Sequence, residues 1–173
     1  NMADLNVRGP SPAGEPGGEG SIRGGIELLF YAYRYFTSDP DAILARYGFG
    51  RAHHRVLHFV AGNPDITVAD LLNILQITKQ SLSRVLGALV DEGYVSQKPG
   101  ERDRRQRRLR LSDKGAALER ELSRVQQARV AKAWKEAGPE AVEGYRKVLA
   151  RLIDPADRDA ILASIHRART KEG

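Results

Sequence analysis

Residues 66–111 read ITVADLLNILQITKQSLSRVLGALVDEGYVSQKPGERDRRQRRLRL, two short helical patterns followed by an arginine-loaded stretch that turns back on itself. The second pattern starts at Thr78, whose side-chain oxygen can cap a helix, and places Leu82, Val85, Leu86, Leu89 and Val90 on one buried stripe. At about 100° per residue the opposite face carries Gln80, Arg84, Gly87 and Asp91, flanked by Ser81 and Ser83. With Thr78 and Lys79, its first turns offer amide, hydroxyl and cationic groups and little bulk, which suits a DNA major groove; a merely solvated helix face would look the same in isolation. Gly93 can take the left-handed conformation that ends a helix, so this one stops near Glu92. Tyr94-Val-Ser-Gln97 then has strand content, and Arg108-Leu-Arg-Leu111 alternates as a returning strand beyond the turn at Pro99-Gly100. Between Lys98 and Arg110, seven basic residues stand against two acidic ones, so the hairpin tip cannot bury itself. Upstream, Thr67-Val-Ala-Asp70 has the capping-box form, Thr67 bonding forward and Asp70 reaching back, with Ala69, Leu71, Leu72 and Leu75 as the apolar side. Supporting helix, recognition helix and charged hairpin in this order spell a winged helix-turn-helix, a mainly α fold with a small β-hairpin wing.

From Thr67 through the recognition pattern, the Gly93-Tyr-Val turn, Asp103-Arg-Arg105 and the closing Leu111-Ser-Asp-Lys-Gly115, the chain resembles the multiple-antibiotic-resistance regulator (MarR) family of transcription factors. The resemblance spans about residues 24–153, and its most specific part is the ordered pair Asp103-x-Arg105 and Leu111-Ser-x-Lys-Gly115. It implies a regulator in which the wing Asp braces the hairpin, the wing Arg enters the minor groove, and the first, fifth and sixth helices build a dimer. Carried over, Asp103 braces and Arg105 contacts DNA, with Arg102, Arg104, Arg107 and Arg108 on the same basic strip.

Composition agrees with a polyanionic partner. The formal net charge is +6, and because the first twenty residues hold Arg8 against Asp4, Glu15 and Glu19, the remainder is more basic still. The absence of cysteine removes disulfides, thiolate metal sites and thiol redox sensing. No apolar run approaches a membrane span and no export signal is visible, so a soluble, cytoplasmic protein is expected. Asn1 precedes Met2, the expected initiator.

Four regions follow in order. Residues 1–20, with five glycines and three prolines, read as a disordered tail. Residues 21–62 are N-terminal helices: Ile22 to Thr37 with Ile26, Leu29, Phe30, Tyr33 and Phe36 or Thr37 on one side, a break at Ser38-Asp-Pro40, a second short helix from Pro40 to about Arg46, and a third from Arg51 to Ala61 with Val56, Leu57 and Val60 as its core. The DNA-reading unit is 63–112. From 113 to 169 run long helices, the first with a seam of Leu118, Leu122, Val125, Arg129 and Ala133, the next with Val142, Tyr145, Val148, Leu149 and Leu152, the last capped by Asp154-Pro-Ala-Asp157 and bearing Ile161, Leu162 and Ile165. A lone winged module needs none of these stripes, so a homodimer is expected.

Eight of the eleven aromatics fall between Phe30 and Phe59. They serve packing or line a pocket, and the pocket reading collects Tyr31, Tyr35 and Phe59 to stack on a ring, His54 and His58 as donors, and Arg51 or Arg55 to hold a carboxylate. Such a site would take a small aromatic carboxylate or phenolic ligand, the effector class that the resemblance implies. His54 and His58 share a face at metal-ligand spacing beside His53, but nothing in 48–61 completes a ligand set, and no metal or cofactor is expected. No nucleophile sits in a catalytic motif, so an enzyme is not expected. The functional expectation is a sequence-specific regulator on double-stranded DNA with a pseudo-palindromic operator, most simply a repressor. Rivals are a nonspecific architectural nucleic-acid-binding protein and a metal-dependent protein centred on the histidines.

Overall fold

The computed structural model describes residues 18 and 20–171. The expected N-terminal tail falls outside the described residues except for Gly18 and Gly20. Seven helices and three strands follow in the order α1 (Ile22–Ala45), α2 (Arg51–Gly62), β1 (Ile66–Thr67), α3 (Val68–Leu75), α4 (Lys79–Asp91), β2 (Val95–Pro99), β3 (Arg107–Leu111), α5 (Asp113–Ala137), α6 (Pro139–Leu152) and α7 (Pro155–Lys171).

The first correction lies in α1. Pro40, expected to start a separate helix, sits inside one continuous helix that runs to Ala45. A proline there deprives the Phe36 carbonyl of its backbone donor, and the Gln126 side chain of α5 donates to that carbonyl at 3.4 Å. Thr37 Oγ1 donates to the Tyr33 and Arg34 carbonyls and Ser38 Oγ to that of Tyr35, so side chains satisfy the carbonyls of this turn. The ring itself is fully buried. A helix-breaking residue is thus tolerated because α5 repairs the break, information that lies ninety positions away in sequence.

Side-chain caps open four of the helices. Ser21, Thr67, Thr78 and Ser112 each accept from the backbone N–H three residues on, opening α1, α3, α4 and α5. At Thr67 only this forward arm of the capping box forms. No bond joins Asp70 to the Thr67 amide, and Thr67 also belongs to β1, a strand the sequence did not announce, paired with Arg108. The wing is therefore one edge of a three-stranded sheet of order β1-β3-β2, with β2 and β3 in register from Val95 opposite Leu111 to Pro99 opposite Arg107. Ala69 is exposed, and Val68 takes the expected place on the apolar side of α3.

The core gathers Leu44, Val56, Leu57 and Val60 of the first two helices with Leu71, Leu82, Val85, Leu86, Leu89, Leu109, Leu118 and Leu122. Val90 is half-buried at its margin. Beyond Leu122 the α5 seam leaves this core. Arg129 pairs with Asp39 of α1 at 2.9 Å and Ala133 is exposed, so the outer part of the seam is not core. A second ion pair, Arg46 to Glu121, also ties α1 to α5. Ile22, Ile26, Leu29 and Phe30 of α1, Tyr145, Val148 and Leu152 of α6, and Ile161, Leu162 and Ile165 of α7 are all exposed. No described helix is long and apolar enough to cross a membrane.

Candidate nucleic-acid interface

The α4 stripe of Leu82, Val85, Leu86 and Leu89 is buried, which rotates Lys79, Gln80, Ser83 and Arg84 into solvent. Ser81 is half-buried, and Thr78 Oγ1 both accepts from its backbone amide and donates to its hydroxyl at 2.9 Å. Thr78 and Ser81 thus build the helix start, while the polar ends of Lys79, Gln80, Ser83 and Arg84 form no hydrogen bond or ion pair among the described residues.

The wing has its own architecture. Asp103 Oδ1 accepts from the Arg105 amide at 3.0 Å, its carbonyl accepts from the Gln106 amide, and the Gln106 carbonyl accepts from Gly100. Gly100 is obligatory at this tip, since a Cβ there would lie 2.6 Å from the Asp103 carbonyl oxygen. Arg102, Arg104, Arg105 and Arg107 are exposed, and among the described residues none of them forms an ion pair. Arg110 is different. It chelates Asp65, its Nε 2.7 Å from Oδ1, and Asp65 in turn holds a left-handed φ of 67° and donates its amide to Leu109. The Arg110 guanidinium beside it holds the Asp65 carboxyl below its ordinary range. A strained residue with bidentate pairing thus fastens β3 to the loop that precedes α3, a role that sequence reasoning missed. The one hint was Pro64-Asp65, an Asx residue able to adopt a left-handed turn.

A cleft of about 180 Å³ opens between α1 and α2, lined by Tyr33, Phe36, Thr37, Pro40, Asp41, Arg51, His54, Arg55, His58, Phe59 and Gln126. Five of the expected pocket residues are here: Arg51, His54, Arg55, His58 and Phe59. Tyr31 and Tyr35 are not. They lie two positions either side of Tyr33 on the helix and so point roughly oppositely, where Arg34 packs over both rings at 5.0 and 5.1 Å. Tyr33 and Phe36 take their place in the cleft, which the buried Pro40 also lines. Arg51 is also corrected: its charge is already countered by Asp41 at 3.0 Å. Arg55 donates to the Tyr33 hydroxyl at 2.9 Å and has no acidic partner among the described residues. Burial pushes the His54 imidazole below its usual value, assisted by neighbouring His58. His53 faces elsewhere, accepting from the Gly50 amide at Nδ1 and stacking on Phe49. Among the described residues no group of three His, Cys, Asp or Glu side chains is placed to hold a metal ion.

Comparison with known proteins agrees with this geometry. The sequence profile of the MarR family matches residues 47–106, from the turn before α2 to the wing tip. The HTH-type transcriptional regulator PetP of Rhodobacter capsulatus is 51% identical over 152 residues, covering 84% of this chain and 92% of PetP. Among solved structures, a MarR family transcription regulator superposes with a TM-score of 0.67 at 20% identity, over 82% of this chain and 92% of that one. A regulator of the family from Silicibacter pomeroyi gives 0.63 at 17% identity, over 74% and 86%. MarR of E. coli, as a cysteine-to-serine variant complexed with operator DNA, gives 0.57 at 22% identity, over 77% and 99%. These structures share the fold, and the relation to PetP carries the assignment: the chain belongs to the MarR family, DNA-binding regulators of transcription that are not enzymes.

Proposed function

We propose that the protein is a homodimeric, sequence-specific repressor that acts in the cytoplasm on a pseudo-palindromic operator in double-stranded DNA and is released by a small aromatic carboxylate or phenolic ligand. The observation that carries the reading is the pairing of the exposed polar face of α4 with a wing whose Arg102, Arg104, Arg105 and Arg107 form no ion pair among the described residues. Gln80 and Arg84 make bidentate contacts to adenine and guanine edges in the major groove. Lys79 and Ser83 bond phosphate or base, and Thr78 and Ser81 present the helix start. Arg105 enters the minor groove beside phosphate contacts from Arg102, Arg104 and Arg107, and Asp103 braces the tip through the bond it accepts from the Arg105 amide.

Two recognition helices read successive major grooves only when a dimer sets them roughly 34–36 Å apart, or a multiple of it. The exposed apolar residues of α1 and α6 supply the contact. In the cleft, Phe36 and Phe59 flank a ring, Arg55 exchanges the Tyr33 hydroxyl for a carboxylate, and His54 and His58 donate. The cleft's volume suits one substituted ring. The E. coli MarR variant is complexed with operator DNA in its crystal structure, which supports the same class of partner here.

Nuclease protection of the intergenic DNA beside the protein's own coding region tests the reading. A protected, two-fold related site that is competed away by itself but not by random duplex is expected. Uniform protection of all DNA would instead favour nonspecific architectural binding. Titration with hydroxybenzoate-like acids should raise the melting temperature and free the site together, both effects weakening in Arg55→Ala. Binding without any change in DNA affinity would return the cleft to packing.

A further inference from the structure

We propose that Lys114 is a positioning residue for DNA recognition, the centre of a latch by which the first turn of α5 fixes the exit of the recognition helix. The inference rests on the proposed reading face of α4. Three consecutive carbonyls, those of Glu92, Gly93 and Tyr94, leave α4, and the start of α5 donates to every one of them. Lys114 Nζ bonds the Glu92 carbonyl at 2.8 Å, Ser112 Oγ that of Gly93 at 2.6 Å, and the Ser112 amide that of Tyr94 at 3.0 Å. Glu92 is the C-cap of α4, where carbonyls lack intrahelical donors and a cation is favoured by the helix dipole. The Lys114 ammonium also lies 4.2 Å from the centre of the Tyr94 ring. That ring stands edge-on to Phe49 at 5.2 Å, and Phe49 stacks on His53 of α2 at 4.7 Å. Lys114 therefore clamps α4 from α5 and continues through an aromatic column into α2.

The middle of α5 is held by α1 through Arg129 with Asp39, Arg46 with Glu121, and Gln126 with the Phe36 carbonyl. One helix thus joins the C-terminal part of α1 to the last turn of α4. An orientation error at the α4 exit displaces Gln80 and Arg84 from base edges, yet it leaves the wing free to meet phosphates. The role separates from a plain phosphate contact by what it does to specificity: a phosphate contact supports all sequences alike, whereas a latch supports only those read by base edges.

The test uses the full chain and two duplexes, one recovered by repeated selection from a random-sequence library and one scrambled from it at equal length. Affinities for both are measured across salt concentrations for the wild type, Lys114→Met, Lys114→Arg and Lys114→Gln. Lys114→Met is expected to lose about tenfold on the selected duplex, the order of one charge-assisted hydrogen bond, with its affinity and salt slope on the scrambled duplex unchanged. Lys114→Arg, which can both donate and stack, should restore the ratio. Lys114→Gln keeps a donor without the charge and should restore part of it; this variant decides the matter if the Met variant does not fold. Equal losses on both duplexes with a shallower salt slope would make Lys114 a phosphate contact and overturn the latch, as would a Met variant indistinguishable from wild type. A selection that converges on no sequence would instead overturn the sequence-specific reading on which the latch depends.

Discussion

Replacing Gly115 with alanine should destabilise the protein although it puts a better helix former into a helix. A Cβ built at this position would lie 2.0 Å from the Tyr94 carbonyl oxygen and 2.9 Å from its carbon, and both are backbone atoms that cannot rotate away. To reach ordinary contact the first turn of α5 must withdraw from Tyr94 by about 1 Å or more, the kind of overpacking that costs roughly 1–3 kcal/mol. The withdrawal also stretches the Ser112 amide bond to Tyr94, the Ser112 hydroxyl bond to Gly93 and the Lys114 bond to Glu92, each worth about 0.5–1.5 kcal/mol net. Against this stands a propensity gain of at most about 1 kcal/mol. The balance is a loss of about 2 kcal/mol or more.

Gly87→Ala is the control, because Gly87 lies in mid-α4 with nothing within 4 Å of its added Cβ. That variant should gain about 0.5–1 kcal/mol. Urea unfolding followed by far-UV circular dichroism, at fixed protomer concentration, reads both values. A Gly115→Ala protein as stable as wild type would refute the close approach of α5 to Tyr94, and with it the physical reason offered for this glycine.

Arg84→Ala should cost about 1–3 kcal/mol on a selected duplex and little on random DNA; binding isotherms on the two give the comparison, and equal losses would make Arg84 a phosphate contact. Arg105→Ala should weaken binding and flatten the log-log salt dependence by roughly 0.9, while Asp103→Ala should also weaken it despite removing a negative charge, since the Arg105 amide loses its acceptor. Tighter binding by Asp103→Ala would end the bracing role. Burial lowers the folded-state pKa of His53 and His54 from 6.5, so the unfolded chain binds protons first on acidification. Stability should therefore be full above 6.5 and fall as pH drops below it. His54→Asn should flatten that profile in thermal melts, and an unchanged slope would show that the imidazole gains no proton on unfolding.

The parts of the fold that could be read in advance are those whose causes are local. Thr78 caps α4 and Gly93, with φ of 81°, ends it, because capping and left-handed turns depend on residues within one turn of the chain. Arg102, Arg104, Arg105 and Arg107 at the wing tip could be read for a similar reason: so dense a run of charge must leave most of its side chains in solvent. What stayed hidden depends on partners distant in sequence. Strand β1 has two residues and exists only because Leu109 and Arg108 come back to meet it. The Asp65 chelate needs Arg110, and the continuity of α1 through Pro40 needs Gln126. In the cleft, composition identifies the aromatic helix but not its rotation. Choosing Tyr33 over Tyr31 and Tyr35 requires Thr37 and Pro40 as the buried reference, and a proline met in sequence alone reads as a break.

That same proline relates the cleft to the reading head. Phe36 and Gln126 both line the cleft, and the bond between them substitutes for the backbone donor that Pro40 lacks. A ring entering beside Phe36 therefore meets the one turn of α1 whose hydrogen bonding is completed by α5. The first turn of that helix holds Glu92, Gly93 and Tyr94 at the exit of α4. For a ligand of the proposed kind to release DNA tenfold, its affinity for the two arrangements of α5 need differ by only about 1.4 kcal/mol. That is the order of a single hydrogen bond such as the one between Gln126 and Phe36. The coupling thus requires no large rearrangement of the core. It requires that α5 move as a unit, which the ion pairs of its middle with Asp39 and Arg46 and the closely packed Gly115 in its first turn favour.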